Sequence, residues 1–224
     1  MKIRSRFTAG LLAALAATGL AGPALAAAHP QTARIPWFHQ QLHDDCEAAA
    51  LRMVLAARGL PVSDQEVLDR VGIDLAHPVF GRPGPRSGDP FRTFVGDPDG
   101  SERQGTGFGV YSPPIAAAAR SFGLSVLIAG RGVTPALLTA LVDAGHPAIV
   151  WVDYLWRRRT PHWYRAYDGR WIPYAGPAEH AVTVTAADQD RIEIADPARG
   201  RYLVSAAQFA DGYASYGDMA VVVR

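Results

Sequence analysis

One cysteine, Cys46, stands in the 224-residue chain, at the end of Gln40-Gln41-Leu42-His43-Asp44-Asp45 and at the start of Glu47-Ala48-Ala49-Ala50-Leu51-Arg52-Met53-Val54-Leu55. A thiol attacks carbonyl carbon as the thiolate. It then needs a base for its proton, a group that orients the base, and donors for the oxyanion that forms on attack. His180 is a candidate base and Asp196 its candidate orienter. Gln40, six residues before Cys46, can aim its amide at an oxyanion together with the Cys46 backbone N–H, and Gln41 is the competing donor.

The elements that must position these groups are legible in the pattern. Asp45 is a good N-cap residue, strong helix formers run to Arg58, and Gly59 is a stop, so a helix is expected to begin at Cys46. The first helical turn, with its unpaired N–H groups and the positive end of the dipole, favours a thiolate. Asp44, Asp45 and Glu47 oppose it, so an imidazole is needed beside the sulfur. A thiol paired in that way is expected to titrate below the roughly 8.5 of free cysteine. His180 opens a strand to Thr185, and Ile192 to Ala195 returns through the turn around Asp188-Gln189-Asp190. A turn centred at Gln189 sets position 198 opposite His180 and Asp196 two positions away. Side chains at that offset lie within roughly 5–8 Å.

Elsewhere, Ile35-Pro36-Trp37-Phe38 reads as an edge strand, and Ser63-Asp64-Gln65-Glu66 as a capping box opening a helix that ends at Gly72. From Asp74 to Gly109, eight glycines and five prolines erase the periodicity, as expected of a long loop bordering a site. Helix and strand then alternate: Ser112 to Phe122, Leu124 to Ile128, Thr134 to Gly145, and Pro147 to Asp153. Trp156, Arg157, Arg158, Arg159, His162, Trp163 and Trp171 suggest a basic, aromatic surface hairpin. The C-terminal part is strand-rich, which gives an α+β order, helices first and an antiparallel sheet after.

The first residues read as an export signal: Lys2, Arg4 and Arg6, an apolar run from about Leu11 to Leu20, and the small-residue site Ala24-Leu25-Ala26. Cleavage after Ala26 leaves 198 of the 224 residues, residues 27–224, as one domain. It also removes three of the 22 basic residues and no acid, so 19 face 21 acidic ones and the net charge goes from +1 to −2. That balance implies no nucleic-acid partner. The apolar run is shorter than a membrane span needs, and the mature chain is expected to be monomeric, unanchored and outside the cytoplasm. A single thiol in an oxidising compartment serves no disulfide framework.

The order Cys, His, Asp with a glutamine upstream of a helix-borne cysteine resembles the papain-like cysteine peptidases, and among them the bacterial C39-like peptidases. Gln40 with Asp45 to Leu55, Glu179-His180-Ala181-Val182-Thr183-Val184, and Ala195-Asp196-Pro197 with Gly200 carry the resemblance. It implies a papain-like α+β fold, a nucleophile at Cys46, a base at His180, an orienting Asp196 and an oxyanion donor at Gln40. It also implies peptide or protein substrates, cell-wall peptides among them, and no cofactor. Many relatives have glycine after the cysteine, where this chain has Glu47. The reading expects a stand-alone secreted member rather than a leader peptidase fused to a transporter.

Two rival readings remain at the level of sequence. His39 and His43, with Asp44 and Cys46, have residue types suited to zinc. The same fold without catalysis would be a secreted peptide- or glycan-binding domain.

Overall fold

A computed structural model describes residues 35–80 and 86–224. The expected signal segment lies outside them. Among the described residues no helix is long and apolar enough to cross a membrane.

Helix α1 (Cys46–Ala57) is almost entirely buried, because alanines and large aliphatics leave it no polar face. Helix α2 (Asp64–Val71) starts with the expected capping box, Ser63 and Glu66 each bonding the other's backbone N–H. The Gly/Pro-rich stretch is more structured than expected. β1 (Ile73–Asp74), β2 (Phe94–Gly96) and β3 (Gly107–Gly109) form a small three-stranded sheet, with a 3-10 turn at Glu102–Gln104. Each strand has two or three residues, too few for any periodicity to show.

Helix α3 (Ser112–Ser121), β4 (Val126–Gly130), α4 (Pro135–Asp143) and β5 (Ala148–Asp153) follow in the expected alternation. β6 (His162–Arg165) and β7 (Trp171–Tyr174) pair as a hairpin with Trp163 and Trp171 exposed. β8 (Glu179–Ala187), β9 (Arg191–Asp196), β10 (Gly200–Ser205), α5 (Ala206–Ala214) and β11 (Ala220–Val223) complete the chain. The larger sheet has six antiparallel strands in the order β10-β9-β8-β5-β11-β4.

Strand alternation divides the core between the two faces of this sheet. Ile149, Trp151, Ala181 and Val221 face the core that holds α1, α2 and α3, whereas Val150, Val152, Val182 and Val222 face Leu138 and Val142 of α4 and Phe209 and Tyr213 of α5. Strand β8 is thereby fixed from both sides, with α1 across one face. That contact brings the cysteine helix to the histidine strand.

Two local expectations fail, and one helix was not expected. Residues 35–38 form no strand. Asp45 occupies the N-cap position of α1, yet its side chain makes no capping hydrogen bond. Helix α5 was not anticipated, although Ser205 and Gln208 form a capping box at its start.

Candidate active site

Cys46 lines a cleft of about 570 Å³ together with Gln40, His43, Asp44, Glu102, Tyr154, Glu179 and His180. The described residues thus bring three of the four sequence candidates, Cys46, His180 and Gln40, to one cavity. The fourth, Asp196, lies behind His180: His180 Nε2 is 2.8 Å from Asp196 Oδ1, and both residues are buried.

The register explains the pairing. Thr183 faces Ala195 and Val184 faces Ile194, as a turn centred at Gln189 requires. A bulge between Val184 and Ala186 shifts the far end by one residue and so leaves the register at the His180 end intact.

Asp196 is held on all sides. Oδ1 also accepts from the N–H groups of Ala198 and Arg199, and Oδ2 accepts from Arg199 Nε at 2.8 Å and Tyr202 Oη at 2.6 Å. Burial opposes its ionisation. The hydrogen bond and charge of His180, with Tyr202 and Arg199, outweigh burial and keep the carboxyl well below the usual carboxylate range. Tyr154 packs edge-on against the His180 ring, and the Arg199 guanidinium lies over Tyr154 at 4.1 Å.

The segment before Cys46 is tied to the same network. Trp37 Nε1 donates to the Asp196 carbonyl at 2.7 Å, and Gln40 N donates to the Pro197 carbonyl at 3.0 Å. Gln40 and Gln41 then part. The Gln40 amide donates to the carbonyls of Leu42 and His43, closing the turn into Cys46. The Gln41 side chain instead accepts from Asp64 N, against α2. Gln40 therefore faces the cleft with its amide hydrogens already engaged, and must exchange one of those bonds to serve an oxyanion.

Arg52 anchors the segment from within α1. Its guanidinium meets Asp64 Oδ1 at 3.1 Å, donates to the His39 carbonyl at 2.8 Å and covers the Phe38 ring. Asp45 lies beside Asp64, and burial together with the Asp64 charge pushes its carboxyl up to about 7. Tertiary packing has thus taken Asp45 from its capping role. Arg52→Met keeps the stem but strands buried Asp64, and is expected to cost about 3–5 kcal/mol. The measurement is the urea midpoint at unchanged m-value.

The surroundings of the sulfur depart most from expectation. Cys46 Sγ donates to Glu47 Oε2 at 3.4 Å and accepts from Ala181 N at 3.3 Å. Burial, and then Glu47 and Glu179 wherever they are ionised, push the thiol well above its ordinary value, the opposite direction from the low-titrating thiol expected. Glu47 is itself fully buried, accepts from Val110 N at 2.6 Å, and is pushed up to about 8 by burial. Gly109, at φ +140°, makes room for it, because a Cβ there would collide with Glu47 Oε1. Glu179 enters the sequence reading only as part of the block around His180, without a role of its own.

The zinc reading does not gather its ligands. The one group of three or more ligand-type residues that converges among the described residues is Cys46, Glu47 and Glu179, without His39 or His43.

Residues 32–221 match the model of the Peptidase_C39 like family. The chain belongs to that family. A solved structure of a provisionally assigned C39-like peptidase from Bacillus anthracis superposes with a TM-score of 0.72 at 20% identity, covering 86% of this chain and 95% of that one. A double glycine motif protease from an AMS/PCAT transporter, in complex with its leader peptide, gives a TM-score of 0.47 at 18% identity, covering 86% and 91%. The peptidase domain of Streptococcus ComA, a bifunctional ABC transporter, gives 0.47 at 15%, covering 83% and 95%. No curated protein matches the chain. The C39-like, papain-like α+β fold is established by the family match and the first of these structures.

Proposed function

We propose that this C39-like chain is an exported cysteine peptidase that hydrolyses peptide or amide bonds through an acyl-enzyme at Cys46. The observation that carries the reading is the convergence of Cys46 and His180 on one cleft, with the imidazole fixed by Asp196 at 2.8 Å. Because Asp196 is ionised, Nε2 carries the hydrogen shared with it, and Nδ1 is the nitrogen left to take the thiol proton. Sγ then attacks the carbonyl carbon, His180 returns the proton to the leaving amine, and water repeats the sequence on the thioester. The Cys46 N–H, at the start of α1, and the Gln40 amide are the oxyanion donors in this reading. Residues 1–26 serve as the export signal, and peptides of the cell exterior, cell-wall peptides among them, are the substrate pool.

The decisive experiment is labelling with a panel of electrophilic peptides. Covalent labelling of the wild type and none of Cys46→Ala is the expected result; a panel that labels neither would sink the reading. Gln40→Ala is expected to leave iodoacetamide alkylation of Cys46 nearly unchanged while lowering turnover by about 10²–10³-fold. Gln41→Ala should act on stability instead, through its bond to Asp64.

One observation favours a second reading, a non-catalytic peptide-binding domain: the resting thiol is bonded to Glu47 and pushed upward. Alkylation rates that stay flat until strongly alkaline pH, even with bound peptide, would favour it.

A further inference from the structure

The wall of the cleft beside Cys46 is acidic beyond anything the catalytic reading uses. Asp44 arrives from the turn before α1, Glu102 from the 3-10 turn and Glu179 from the first residue of β8, and all three line the cleft. Each presents a buried carboxylate oxygen with no hydrogen-bond partner: Asp44 Oδ2, Glu102 Oε1 and Glu179 Oε1. The half-buried Glu179 side chain reaches towards the sulfur. One of its oxygens lies within 4.8 Å of Cys46 Sγ and of a Glu47 oxygen, and Gly109 leaves the space both carboxyls occupy.

We propose that Glu179, with Glu47 behind it, forms a subsite for a cationic group of the peptide substrate, an ammonium or guanidinium seated next to the scissile bond. The proposal rests on the peptidase reading for the word substrate and on the geometry of the wall for the charge. An enclosed carboxylate oxygen without a donor costs free energy until a proton or a cation meets it. The charges acting on Glu179 are all of its own sign, from Glu47, Glu102 and Asp44. The phenols of Tyr111, Tyr174 and Tyr216 also feel it. The cations that line the cleft are engaged elsewhere: Arg103 acts on Glu102, His43 on Asp44, and the His180 imidazole bonds Asp196. A metal held by Cys46, Glu47 and Glu179 would consume the nucleophile, whereas a substrate cation entering along the cleft meets Glu179 and leaves the sulfur free.

Proton linkage gives the subsite a signature. Burial raises Glu179 above the usual carboxylate range and a docked cation favours its ionised form, so binding of the cation releases a proton and its affinity rises with pH.

The test uses four peptidyl acyloxymethyl ketones in EDTA-containing buffer, with lysine or norleucine beside the electrophile, each with a free or an acetylated N-terminus. At pH 8 the acetylated lysine probe is expected to label Cys46 about 10–100-fold faster than the acetylated norleucine probe, the range of one charge-assisted hydrogen bond. The ratio should shrink towards one by pH 5. In Glu179→Gln it should vanish at every pH while the norleucine probe keeps at least its wild-type rate, which a merely structural loss would not allow. A free-amine norleucine probe that matches lysine would make the α-ammonium the source of the cation. Equal rates for all four probes in the wild type, or a ratio that survives Glu179→Gln, would overturn the proposal. Should no probe react, calorimetric binding of acetyl-lysine amide against acetyl-norleucine amide decides the same comparison. Labelling without turnover on any peptide would count against the peptidase reading and leave the subsite standing; turnover without the lysine ratio would do the reverse.

Discussion

Asp196→Asn is expected to lower turnover by about 10³–10⁴-fold while leaving the fold and the alkylation of Cys46 largely intact. Asp196 Oδ1 takes the hydrogen on His180 Nε2, which leaves Nδ1 unprotonated to act on the thiol. An asparagine at 196 can turn its amide NH₂ towards the ring. It would then stabilise the tautomer with the hydrogen on Nδ1, which cannot take a proton from sulfur. The amide also loses the charge that steadies the imidazolium formed during attack. Tyr202 Oη and Arg199 Nε still reach the amide oxygen and Trp37 still bonds the backbone carbonyl of residue 196, while the Ala198 and Arg199 N–H groups give up their acceptor at Oδ1, so the scaffold keeps most but not all of its contacts. The measurement is kcat on whichever peptide the labelling panel identifies, beside the iodoacetamide rate as a control for the thiol. A loss under tenfold would show that Asp196 only braces the loop between β9 and β10, and His180 would need another orienter.

The parts of this site that could be read in advance are those fixed by short-range rules. A run of alanine and leucine between Asp45 and Gly59 makes a helix wherever it lies, so Cys46 falls at its start. A hairpin with a three-residue turn fixes its own register, so His180 and Asp196 meet. That second success depended on compensation: the observed pairing beyond the bulge is displaced by one, and the bulge restores the expected alignment at the His180 end. What escaped is set by contacts distant in sequence. Asp45 is a cap by type, but Asp64 and Arg52 draw it into a buried cluster. Glu179 has an enclosed acidic setting only because α1, the 3-10 turn and β8 converge on it, which no spacing rule encodes. Helix α5 is the exception, since its Ser205 and Gln208 box is a short-range signal that stands in the sequence.

The same buried acids should make the folded chain less stable as pH rises from about 4.5 to 8, against the usual acid-denaturation trend. Burial pushes Glu47 and Glu102 up to about 8 and Asp44 up to about 6, and pushes Glu179 well above its ordinary value. In the unfolded chain these carboxyls titrate near 4. Across the interval the folded state therefore holds protons that the unfolded state has released. The slope of unfolding free energy with pH is then negative, and the cost is complete only above the folded values. For Glu47 alone, moved from 4.5 to about 8 while fully buried, the cost is of order 5 kcal/mol. The neighbouring acids add less than their separate values, because they titrate as a coupled group. Asp196 works in the opposite sense. Its depressed carboxyl contributes stability above about pH 4 that is lost as pH falls further. Together these terms set the stability maximum near pH 4–5. Urea midpoints measured from pH 3 to 9 are expected to peak there and to fall steadily to pH 8. Glu47→Gln removes one fully buried contribution, so its midpoints should fall less steeply over the same range. Wild-type midpoints that stay level or rise between pH 5 and 8 would mean that Glu47 and Glu179 are ionised in the folded state, with a cation already beside them.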